Sequence, residues 1–134
     1  MRYELAPDLQ AIANEISIIL FPHIDVNRVK CFRGYGSASK NTIARCHTIG
    51  KLIQQALGIK AHYVLEFLSE NFDHLDENEK VKIILHELMH IPKTFGGGFK
   101  HHNFVCDKNI NLFYEKYQNY KTKENENSLQ KEEY

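Results

Sequence analysis

No charge of either sign is in excess in this 134-residue chain: Lys+Arg and Asp+Glu both number 17. A duplex-DNA binder more often carries a basic surplus or stripe, so nucleic acid is not the expected partner. No apolar run approaches membrane length. Glu4, Asp8 and Glu15 interrupt the apolar residues of the N-terminus, which fits neither a secretory core nor a spanning segment. The expected compartment is therefore the cytoplasm, without a membrane partner. The three cysteines, Cys31, Cys46 and Cys106, are too few and odd in number for a disulfide framework. No internal repeat is visible. What stands out is histidine: there are eight, and four lie between positions 86 and 102.

The length and the apolar fraction of 43% suit one domain with a modest core. The domain is expected over 1–120, followed by a charged, flexible tail over 121–134, where apolar groups are few. Pro7 followed by Leu9, Ile12, Ala13, Ile16 and Ile19 predicts an amphipathic helix over 7–20. Residues 26–33 partly alternate and read as a strand, broken by Gly34-Tyr35-Gly36-Ser37. Thr42–Cys46 reads as a second, short strand. Ile49, Leu52, Ile53, Ala56 and Leu57 repeat at helical spacing up to Gly58. Residues 61–68 form a further strand pattern. Asp76, with Glu79 three residues on, signals a helix start. That helix carries Val81, Ile84, Leu85, Leu88 and Ile91 on one side and ends before Pro92 and Gly96-Gly97-Gly98. A last helix is expected from about His102 to Tyr120.

Within the helix opened by Asp76 stands His86-Glu87-Leu88-Met89-His90. Histidines four apart on a helix lie one turn above each other and can reach a single metal. Glu87 projects about 100° away, outside the ligand set but within reach of a water on that metal. Zinc lowers the pKa of such a water toward neutrality, and a carboxylate can take its proton and pass it to a leaving amine. That is the chemical content of His-Glu-x-x-His.

A catalytic zinc takes three protein ligands and keeps one position open. The metzincin spacing would need histidine where this chain has Gly96. Glu115 is the nearest candidate for a glutamate ligand from a following helix. His101 and His102 are closer, and the glycine run lets the chain turn back sharply. On spacing alone, either histidine completes the set.

These residues resemble a family of metallopeptidases found in archaea, bacteria and phages. The likeness rests on His86-Glu87-Leu88-Met89-His90-Ile91-Pro92, on Phe95 with Gly96–Gly98, and on His102-Asn103. Weaker likeness extends to Arg33-Gly34-Tyr35-Gly36-Ser37, Ala44-Arg45 and Tyr63-Val64-Leu65-Glu66. It spans about residues 30–105. The resemblance implies a zincin-like α+β fold, a small mixed sheet flanked by helices with the histidine motif on a central helix. It implies His102 rather than His101 as third ligand. Asn103 departs from the usual neighbour of that histidine.

The sequence reading is thus a zinc-dependent peptidase, with His86, His90 and His102 as ligands, His101 as alternate and Glu87 as general base. Its partner would be a peptide or protein substrate. Two rivals stand beside it. One is a non-catalytic zinc module whose fourth position is closed by a protein group such as the spare histidine. The other is a His₃ hydrolase acting on another bond, such as an RNA phosphodiester. The Tyr63–Phe67 strand is either a sheet edge for an extended substrate or an ordinary core strand. Glu66 either lies near the site or faces water. Arg33 and Arg45 stabilise an anion or form surface ion pairs. Either Cys31, Cys46 and His47 form a second metal site or, since they lack a Cys-x-x-Cys pair, the cysteines are buried free thiols. Tyr114 and Tyr117 orient substrate or pack in the core. His23, His47, His62 and His74 show no ligand spacing.

Overall fold

The computed structural model describes residues 1–132, with side chains through Ser128. It is a mixed α+β arrangement, a four-stranded sheet flanked by helices. The chain order is β1 (Arg2–Leu5), α1 (Pro7–Leu20), a 3-10 turn (Val26–Arg28), β2 (Val29–Tyr35), β3 (Ala44–Thr48), α2 (Lys51–Leu57), β4 (Tyr63–Leu68), α3 (Ser69–Phe72), α4 (Glu77–Met89) and α5 (Asp107–Glu132). Strands lie in the order β1-β2-β4-β3. β2 and β4 run parallel, and both outer strands run antiparallel to their neighbours.

Alternation along the strands divides the sheet into two faces. Val29 and Cys31 of β2 and Tyr63, Leu65 and Phe67 of β4 are buried against α1 and α4. From the helices come Leu9, Ala13 and Ile16 of α1 and Ile84, Leu85 and Leu88 of α4. Each large apolar side chain so buried contributes about 1.5–3 kcal/mol. Arg33 ties this layer together at its rim. Its guanidinium donates to Asp8 at 2.6 and 2.8 Å and to Asp73 at 3.0 Å, joining α1, β2 and the end of α3. Arg33 is therefore engaged in ion pairs within the fold.

The helix starts follow their sequence signals. Pro7 opens α1, and the Asp76 carboxylate caps α4 by accepting from the Glu79 N–H at 2.9 Å. Other expectations are corrected. β1 had no signal in the sequence, being four residues long and exposed. β4 is an interior strand, and β3 is the edge. α2 forms, but its apolar residues do not enter the core: Leu52 is 80% and Leu57 64% exposed. The last helix starts at Asp107, because 101–106 are spent on a turn. It continues past Tyr120 to Glu132. Lys, Glu and Gln are good helix formers, so an exposed polar segment extends a helix that is already nucleated. Lys121 fastens this stretch to α1 by donating to Glu15 at 2.7 Å. Residues 133–134 of the expected tail lie outside the described residues. Among the described residues no helix is long and apolar enough to cross a membrane.

The glycine run is held from two sides. The Tyr63 hydroxyl donates to the Gly98 carbonyl at 2.8 Å and accepts from the Gly97 N–H at 3.1 Å. Gln54 of α2 donates to the Gly96 carbonyl at 3.0 Å. Gly97 has φ +98°, and a Cβ there would lie 2.5 Å from the Ile49 carbonyl oxygen and from Gln54. Around Gly98 nothing lies within 4 Å of a Cβ. Gly97→Ala is accordingly expected to lower stability by about 1–3 kcal/mol in urea unfolding, whereas Gly98→Ala should change it by less than about 0.5 kcal/mol. Equal effects would remove the specific need for glycine at 97.

Candidate metal centre

α4 ends in the pocket that its histidines line. His86 and Glu87 lie in its last turn, and His90 is the C-cap residue with helical φ and ψ of −68° and −18°. The chain then passes Pro92, turns through the glycines and returns at Lys100. Two hydrogen bonds fix the return. The Lys100 N–H donates to the His90 carbonyl at 2.7 Å, and His90 Nδ1 donates to the Lys100 carbonyl at 2.8 Å. A carbonyl can only accept, so Nδ1 carries a proton, and in the neutral ring that tautomer leaves the Nε2 lone pair free.

His102 follows two residues later and meets the helix histidines. The His86–His90, His90–His102 and His86–His102 ring centroids are 5.0, 5.5 and 6.2 Å apart. One ligand atom from each of the three lies within 4.8 Å of the others, a grouping able to hold a metal ion. Three imidazole nitrogens are a donor set that suits a divalent transition-metal ion. Burial, and after it the neighbouring His90 and His102, holds His86 below the usual imidazole pKa. A neutral ring is the form that binds metal.

Glu87 is 6% exposed beside these rings, and burial pushes its carboxyl up to about 7. His101 is exposed and lines the same pocket, but among the described residues it is not in the ligand group. The remaining wall comes from Ala44, Arg45 and Cys46 of β3 and from Phe99. Three of these features had no sequence signal. The Lys100 clasp uses backbone atoms, which any residue type provides. The β3 wall follows from strand order, which local periodicity does not encode. The Tyr63 hydroxyl reaches Gly98 from 35 residues away.

Several other candidates are engaged elsewhere in the fold, although Arg45 also borders the pocket. The Arg45 guanidinium lies 3.6 Å from Glu66, and His47 Nε2 is 2.7 Å from the other Glu66 oxygen. Glu66 points away from the helices and is occupied by this cluster, although its Oε2 atom is buried without a hydrogen bond. Cys31 and Cys46 both pair with Leu65 from opposite sides, which puts them two strands apart. That is roughly 9–10 Å, beyond disulfide reach. The three thiols are free, and burial pushes that of Cys31 up to about 12. The Tyr117 hydroxyl donates to Glu15 and that of Tyr114 to Asn78, so both tyrosines serve packing. His23 and His62 bond main-chain carbonyls. No second metal grouping occurs among the described residues.

No curated protein and no solved structure matches the chain. One protein family does, over residues 1–130, and its match takes in all the elements that build this pocket. The chain belongs to the family described as "Putative phage metallopeptidase".

Proposed function

We propose that the protein is a zinc-dependent peptidase of the zincin type, with His86, His90 and His102 as zinc ligands and Glu87 as general base. The observation that carries this reading is the convergence of three imidazoles beside one buried carboxyl. A zinc ion held by these histidines would supply Lewis acidity toward a water molecule and a peptide carbonyl. The protein's own groups do the rest. The Lys100 carbonyl holds the His90 ring in the tautomer that leaves Nε2 free. A Glu87 carboxylate oxygen takes the proton of the attacking water and delivers it to the amine nitrogen as the peptide bond breaks. Its raised pKa suits both halves of that transfer near neutral pH.

The free edge of β3 offers the substrate its place. Ala44–Cys46 border the histidine pocket, and β3 has a strand partner on one side only. An extended peptide can add to that edge through main-chain hydrogen bonds, which accounts for peptide recognition without a basic or acidic cleft. A closed zinc module would need a fourth protein ligand. The exposed His101, outside the ligand group, supports an open fourth position instead.

Metal analysis of purified variants tests the ligand set. His86→Ala, His90→Ala and His102→Ala should each lose stoichiometric zinc, while His101→Ala retains it. Zinc kept by any of the first three, or lost from His101→Ala, would refute the assignment. Glu87→Gln should keep its zinc and lose hydrolysis of a denatured protein substrate by about 10²–10⁴-fold. Undiminished turnover in that variant would remove Glu87 from the chemistry.

A further inference from the structure

A second cavity adjoins the histidine pocket and shares one lining residue with it, Lys100. Its volume is about 410 Å³, within the range of small-molecule sites. One wall is a chain of aromatic rings. Phe21 packs edge-on against Phe113 at 5.1 Å, and Phe113 against Phe104 at 6.3 Å. Leu20 and Leu88 line the cavity from α1 and α4. Phe104, Phe113 and Leu20 are only partly buried, so apolar surface that a closed core would cover stays open to solvent.

The charged lining residues are both cationic, Lys93 and Lys100. The Lys100 ammonium sits 4.2 Å above the Phe104 ring, at the end of the aromatic wall. Among the described residues neither lysine has a carboxylate within ion-pair distance. No acidic side chain lines the cavity. An apolar slot with two uncompensated ammonium groups is complementary to a molecule with an apolar tail and one anionic head. A volume of about 410 Å³ admits a single alkyl chain.

We propose that this cavity is a binding site for a single-chain amphiphilic carboxylate. The alkyl chain lies between the aromatic wall and Leu20 and Leu88, and the carboxylate meets Lys93 and Lys100. The site is independent of the peptidase assignment, since only Lys100 belongs to both pockets.

Calorimetric titration of the full chain tests it, with octanoate, octan-1-ol and octylammonium as probes. Octanoate should bind more tightly than the other two. Lys93→Gln combined with Lys100→Gln should weaken octanoate by about tenfold and leave octan-1-ol unchanged. Leu20→Trp, which fills the slot, should weaken both. Lys93→Gln alone, at an exposed position, keeps the test available if the filled variant fails to fold. The proposal is overturned if octanoate binds no better than octan-1-ol or octylammonium. It is equally overturned if the lysine variants leave octanoate binding intact, or if His86→Ala alone abolishes it, because the carboxylate would then be held by the metal.

Discussion

The reciprocal pair of hydrogen bonds between His90 and Lys100 closes the chain over the end of α4, and the pocket depends on that closure. One bond joins the two backbones, and the other ties the His90 ring to the Lys100 carbonyl. Together they set the ring's tautomer and bring His102, two residues on, to the helix histidines. The glycine run makes the return geometrically feasible. The Tyr63 hydroxyl and the Gln54 amide hold it from the sheet and from α2. A loop with this many fixed points keeps a ligand set preorganised, which a flexible loop of equal length would not do.

The sheet contributes by its asymmetry. Its inner face packs on α1 and α4, which anchors α4 through Ile84, Leu85 and Leu88. Glu87 is drawn into the same low-dielectric layer without a charge partner, and its pKa rises for that reason alone. β3 stands at the edge of the sheet, and its residues Ala44–Cys46 line the histidine pocket. The helix α4 with its histidines and carboxyl, the return loop with His102 and the strand β3 thus meet at one pocket.

Much of this was legible in the sequence where the signal was local. The bounds of α1 and the start of α4 follow from Pro7, Asp76 and apolar residues at helical spacing. His86 and His90 are readable because a helix converts a spacing of four into one shared face, and Glu87 from its place directly after the first of them. His101 and His102 could not be separated by spacing, since both follow the glycine turn; the structure places only His102 against the other rings. Strand order was not legible, because periodicity marks which residues alternate and not which strands pair. That is why β4 was a candidate edge and proved interior. α2 shows the converse failure: its apolar spacing is helical, yet Leu52 and Leu57 face solvent. Helical spacing establishes that a face exists and does not establish that the core covers it. The polar composition past Tyr120 suits an exposed helix as well as it suits coil, so composition does not mark where α5 ends.

The central claim is a metal centre with three imidazole ligands and one open position. X-ray absorption spectroscopy of the zinc-loaded protein addresses it directly. The account predicts nitrogen or oxygen scatterers alone at about 2.0–2.1 Å, four in number, with the multiple-scattering pattern of three imidazoles. A fourth imidazole, or a sulfur scatterer at about 2.3 Å from Cys46 on the pocket wall, would contradict it, because either would close the position that the chemistry needs.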